Sequence, residues 1–148
     1  MTTTPFDPNA DVARTEPLDP THWPAALADF SRTHHGWLVR VLQVPTAATA
    51  APADEHLAEA DQLAADVTLA EVAVATDGAR VGLDIRVRND VVHTATHIER
   101  PRSIALERGA DGGVMGLRID DTGGRTTLVR FRSVLPTEML DGLADGEL

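Results

Sequence analysis

The amino-acid sequence predicts an α+β fold. It comprises an N-terminal amphipathic helix, a mainly antiparallel, meander-like sheet of about six to eight strands, and a short C-terminal helix. The sheet is read either as a half-open barrel or as a layer packed on the first helix. Three observations carry this. Trp23, Leu27 and Phe30 lie at i, i+4 and i+7, one stripe of a helix. From residue 69 onward, apolar residues recur at alternate positions, the period of a half-buried strand. Turn signatures at Asp77-Gly78, Asn89-Asp90 and Thr122-Gly123-Gly124 separate the alternating runs.

Taken in order, residues 1–18 are rich in Pro, Thr and Asp without an apolar period, which predicts a disordered arm. A single α+β domain is expected over 19–142 and an acidic tail over 143–148. The helix is expected to start with Thr21 as N-cap. Pro24 then falls in the first turn, where its missing N–H has no intrahelical partner to lose. Gly36 ends the helix after His34 and His35. Residues 37–44 are apolar on both faces, the mark of a central strand. Residues 45–54 are a low-complexity Ala, Thr and Pro stretch. Residues 56–67 fit a helix by composition and an irregular strand by position.

A two-residue turn at Asp77-Gly78 sets Val74 opposite Val81 and Val72 opposite Leu83. One at Asn89-Asp90 sets Val87 opposite Val92 and His93 opposite Arg86. Further strands follow around Ile104 and Leu106, then Met115 to Ile119, then Val129 and Phe131, with a turn over 109–113. Residues 137–142 carry the short final helix.

The chain has 148 residues, enough for one domain with its own core. It has no cysteine, which excludes disulfides, thiol nucleophiles and zinc-thiolate sites. It also has no lysine: all thirteen basic residues are arginine, so Schiff-base chemistry and a P-loop lysine are excluded. Missing Lys and Tyr with abundant Ala point to the coding bias of a GC-rich bacterial genome. The net charge of −10 disfavours nucleic acid and anionic membranes as partners. With no basic–apolar leader pattern at the N-terminus, a cytoplasmic location is expected.

The candidate sites are few. Arg86, Arg88, Arg118, Arg130 and Arg132 share one side of the sheet by strand parity, opposite the apolar inner face. Guanidinium forks recognise carboxylate and phosphate, so such a face suits a protein partner or a small anion. The competing reading is a solvated face on which Glu71, Asp84 and Asp120 form cross-strand pairs. His93 and His97 lie four residues apart. On a strand that is about 13 Å, too far to share a metal ion, so no metal or cofactor is expected. His34 and His35 beside Trp37 suggest either a ligand pocket or a helix end with Trp37 in the core. Ser31, Ser103 and Ser133 lack a nucleophile-elbow context.

Two blocks carry a family resemblance. The first is Trp23…Phe30-Ser31-Arg32…His35-Gly36-Trp37-Leu38-Val39. The second is Thr127-Leu-Val-Arg-Phe-Arg-Ser133 followed by Leu135-Pro136. They resemble the opening and closing segments of the bacterial domain-of-unknown-function family 5335, over residues 20–142. The resemblance implies a shared fold and carries no activity.

The function these features favour is a non-catalytic cytoplasmic binding or accessory domain with an arginine-bearing sheet face. One alternative is a small enzyme using His93 or His97 with a carboxylate such as Asp84 or Asp90. The other is a self-associating scaffold.

Overall fold

A computed structural model of the chain describes residues 2–6, 12–47 and 58–132. Among these the elements are β1 (Thr2–Phe6), β2 (Arg14–Pro17), α1 (Trp23–His34), β3 (Leu38–Pro45), β4 (Ala58–Asp77), β5 (Arg80–Arg88), β6 (His93–Glu99), β7 (Pro101–Arg108), β8 (Val114–Asp121) and β9 (Arg125–Phe131). All pairings are antiparallel. The strands lie in the order β2-β7-β8-β9-β3-β4-β5-β6, with β1 added to β4.

The α+β class and the antiparallel sheet agree with the sequence. The helix, however, follows two strands instead of opening the fold. Both strands fall in the expected arm: β1 pairs with residues 58–62 of β4, and β2 with residues 105–108 of β7. Strand pairing at an edge needs only backbone N–H and C=O groups. The four residues of β2 are all exposed and leave no apolar period to detect. The expected helix at 137–142 and the tail at 143–148 lie outside the described residues.

A 3₁₀ turn at Pro20–His22 precedes α1. Asp19, not Thr21, caps it: the Asp19 carboxylate accepts from the backbone N–H of Thr21 at 3.0 Å. The α-helix proper begins at Trp23, which still leaves Pro24 in the first turn. Gly36 adopts φ +86°, and its N–H donates to the carbonyl of Leu69.

Two expected registers are displaced by two residues. The β4–β5 turn is Gly78-Ala79, with Asp77 opposite Arg80, so Val74 faces Leu83 and Val72 faces Ile85. Gly78 alone takes positive φ in this turn, as glycine does at the first central position of a type II′ turn. Between β5 and β6 the loop spans residues 89–92. The Asn89 side chain accepts from the N–H groups of Val91 and Val92, and this widens the expected two-residue turn. Val87 therefore faces Thr94, and Arg88 rather than Arg86 faces His93. A shift of two preserves which face each side chain takes, so the inner and outer sets survive both errors.

The ambiguous stretch is a strand from Ala58 onward, where pairing with β1 and β3 overrides its helix-favouring composition. β3 stops pairing with β4 at Thr68. Beyond it the helix takes over: the Ser31 hydroxyl donates to the Val72 carbonyl at 3.0 Å and accepts from the Val72 N–H at 2.9 Å. A single buried side chain thus satisfies both backbone groups that β3 leaves open.

β6 and β7 are separated by Arg100 alone, which adopts φ +52°. Its N–H donates to Val81 on β5, and its carbonyl accepts from Thr122 in the β8–β9 turn. The chain therefore turns a corner here, and one residue ties β5 to the β8–β9 turn. Trp23, Leu27 and Phe30 fill the concave side against Val39, Val72, Leu83, Ile85, Leu117 and Val129. The core is aliphatic apart from the helix stripe, as the sequence predicts. Phe30 is 5% exposed. Replacing it by alanine is expected to cost about 3–5 kcal/mol in a denaturant titration, and a loss below about 1 kcal/mol would show that the stripe is not core.

Candidate functional site

The five arginines chosen by parity do lie on the outer side, but strand order divides them. Arg86 and Arg88 sit on β5, while Arg118 and Arg130 sit on β8 and β9 with Arg132 just beyond. β3 and β4 stand between, so the β5 and β9 sets are about 14 Å apart along a curving sheet. Most of these arginines are also neutralised. Arg86 contacts Glu71 at 2.8 Å and Asp84 at 3.6 Å. Arg118 contacts Asp120 at 3.2 Å, and Arg132 pairs with Asp66. Of the acids named by the competing reading, Glu71 pairs across strands, whereas Asp84 and Asp120 pair along their own strands; Asp66 is a partner that sequence reasoning missed.

Arg130 is the strongest case. It is buried and grips Glu107 with two hydrogen bonds, Nε at 2.6 Å and Nη2 at 3.0 Å. The register row runs Glu107–Gly116–Arg130, so the guanidinium reaches across β8 over a glycine. A side chain on Gly116 is impossible in this backbone: its Cβ would lie 1.8 Å from the carbonyl oxygen of Val129. Four residues along the same three strands, Thr126 and Ser103 donate to Asp120 at 2.6 and 3.2 Å.

His97 lies elsewhere, on the outer face of β6. The shifted register places it directly across from Asp84, and its Nδ1 lies 2.6 Å from the Asp84 carboxylate. The neighbouring row is Ala75–Gly82–Glu99. The imidazole lies over Gly82, where a Cβ would come within 2.7 Å of Cε1. These small residues leave a hollow of about 130 Å³ lined by Ala75, Thr76, Arg80, Val81, Gly82, His97, Glu99 and Arg100. Arg80 and Arg100 have no ion-pair partner among the described residues. Arg80 and Arg100 also border a shallower depression of about 450 Å³ with Pro20, Trp23 and Pro101. His93, at the opposite end of β6, is exposed beside Arg88 and does not join His97.

Chemically, Asp84 orients the imidazole and favours a proton on Nδ1, which leaves Nε2 without a protein partner among the described residues. The imidazole–carboxylate element of an acid–base site is therefore present. The only hydroxyl lining the hollow is that of Thr76. Among the described residues no three His, Cys, Asp or Glu side chains gather to hold a metal ion. No described helix is long and apolar enough to cross a membrane.

The helix–strand junction also differs from expectation. Trp37 is 49% exposed instead of core. His34 is buried: its Nδ1 lies 2.8 Å from the Phe30 carbonyl, and its ring contacts Phe30, Trp37 and Phe131. The histidine is absorbed by packing and does not line a ligand pocket.

Sequence reasoning missed Arg80 and Arg100 because one sits at a hairpin end and the other at a corner, outside the alternation. The signals available were Gly82, an outward position with no side chain, and Pro101 immediately after Arg100. Comparison of the chain with protein-family models, with curated proteins and with solved structures finds no match.

Two stability predictions follow from the outer-face contacts. Glu107→Ala removes both hydrogen bonds that its carboxylate accepts from a buried guanidinium and is expected to destabilise the fold by about 3–5 kcal/mol, read from a urea midpoint. Burial alone would push the Asp120 carboxyl up. The Thr126 hydroxyl, the Arg118 guanidinium and the Ser103 hydroxyl outweigh it and hold the group below its ordinary value. The unfolded chain therefore binds a proton before the folded one does. The stability this carboxylate contributes is complete above the ordinary carboxylate range and is lost as pH falls through that range to the lowered value. Asp120→Asn should accordingly be less stable than wild type at neutral pH, with the gap closing in acid; a gap independent of pH would refute this.

Proposed function

We propose that this chain is a non-catalytic binding domain for a small anion, acting as an accessory domain in a bacterial cytoplasm. Its site is the hollow at the β5–β6–β7 corner and not the broad arginine face. One observation carries the reading: Arg80 and Arg100, both without an ion-pair partner among the described residues, converge with the oriented His97 on a single hollow. The arginines of the broad face that have carboxylate partners are already satisfied. The opposing acids are few. Asp84 is engaged by His97, Glu99 lines the hollow, and Asp77 stands opposite Arg80 in the strand register.

The size suits a carboxylate or phosphoryl group, since the hollow holds about four waters' worth of space. Guanidinium forks bind such oxyanions in two-point fashion. The positive φ of Arg100 belongs to the strained backbone that concentrates at binding sites. A second reading, acid–base catalysis by His97, is favoured by the 2.6 Å contact with Asp84. It ranks lower because Thr76 is the only hydroxyl at hand.

The test is thermal unfolding in inorganic phosphate against chloride at matched ionic strength. Phosphate is expected to raise the melting temperature of the wild type through preferential binding to the native state. The double variant Arg80→Gln/Arg100→Gln should lose that increment, while Arg86→Gln/Arg88→Gln should keep it. Equal loss in both variants, or no increment in the wild type, would refute the site.

A further inference from the structure

The two ends of the sheet are built differently. At one end β2 has four residues, three of them Arg14, Glu16 and Pro17. A short, charged, proline-bearing strand is how sheets discourage further pairing. At the other end β6 is seven residues long, His93-Thr-Ala-Thr-His-Ile-Glu99, with no proline and no arginine. It pairs only with β5, and no backbone hydrogen bond occupies its outer edge among the described residues. Six of its seven residues are exposed or half-exposed.

We propose that β6 pairs antiparallel with β6 of a second copy of this chain, with Thr96 on the two-fold axis, so that one sheet continues into the other. The side chains on the strand select this occupant. Outer-face positions read His93, Ala95, His97, Glu99, with an imidazole at one end and a carboxylate at the other. Antiparallel pairing about Thr96 sets His93 of each copy opposite Glu99 of the other, a favourable cross-strand pair made twice. On the inner face it sets Thr94 opposite Ile98 and Thr96 opposite itself, β-branched pairs suited to a sheet. Within one chain His93 faces Arg88, a cation, so the second copy supplies the acid that the fold withholds. Pairing about Ala95 instead sets His93 opposite His97 and forfeits the charge match. The inference does not rest on the anion site, although His97 and Glu99 also line the hollow.

Because the chain has no cysteine, one introduced thiol reports the register without background. Across a two-fold pair the Cα atoms lie about 4.5–5.5 Å apart, within reach of a disulfide. Thr96→Cys is expected to give a covalent dimer under mild oxidation, while Thr94→Cys stays monomeric. Sedimentation of the wild type should show a monomer–dimer equilibrium. His93→Glu, at an exposed position where folding is checked by circular dichroism, should weaken it about tenfold. His93→Glu/Glu99→Arg should restore it. A wild type that is monomeric at every concentration, a His93→Glu variant that dimerises normally, or cross-linking through Ala95→Cys in place of Thr96→Cys would each overturn the proposal.

Discussion

A guanidinium that is 7% exposed cannot be solvated, and Arg130 meets that constraint with the carboxylate of Glu107 two strands away. Much of the sheet follows from this pair. The crossing strand must carry no side chain where the guanidinium passes, and Gly116 stands there. The pair therefore ties β7, β8 and β9 into one register, because a slip of two residues on any of them would break the bidentate contact. With that register set, Ser103, Asp120 and Thr126 fall into line four residues further along. The same region of the outer face buries Leu42, Val44, Thr126 and Leu128. Such an environment makes the ion pair obligatory: removing one partner costs more than the pair itself contributes.

Curvature is the second determinant. A flat sheet of this order would leave α1 covering a few strands and the rest of the inner face wet. The corner at Arg100 bends the sheet, so the helix stripe meets residues from β3, β4, β5, β8 and β9 together. The helix is in turn fixed to β4 by the Ser31 hydroxyl and, through Gly36, by the backbone at Leu69. The hollow forms beside this bend, over the row Ala75–Gly82–Glu99 where Gly82 carries no side chain. The candidate site is thus a by-product of the device that closes the core.

What the sequence made legible was whatever depends on periodicity. The stripe of Trp23, Leu27 and Phe30 and the alternation through Val72, Leu83, Ile85, Leu117 and Val129 identified the core side chains, and a two-residue slip in register did not spoil that reading. Contacts that depend on which residue faces which were less accessible. His97 met Asp84 only because Asn89 widened a turn by two residues. Glu107 met Arg130 across an intervening strand, a relation with no signature in either local sequence. β1 and β2 were hidden for another reason: edge pairing uses backbone groups, which every residue carries.

The distribution of arginine follows from sheet geometry. A residue in the middle of a sheet has cross-strand neighbours on both sides, and in a chain of net charge −10 one of them is often acidic. Arg86 finds Glu71 directly across in this way, while Arg118 finds Asp120 two residues along its own strand and Arg130 reaches Glu107 across β8. A residue at a hairpin end or a corner has fewer such neighbours. Arg80 and Arg100 occupy such places, beside positions held by Gly82 and Ala75. Neither has an ion-pair partner among the described residues. The arginines that lack a carboxylate partner among the described residues thus include two that lie where strand periodicity breaks down, and this is why alternation alone did not single them out.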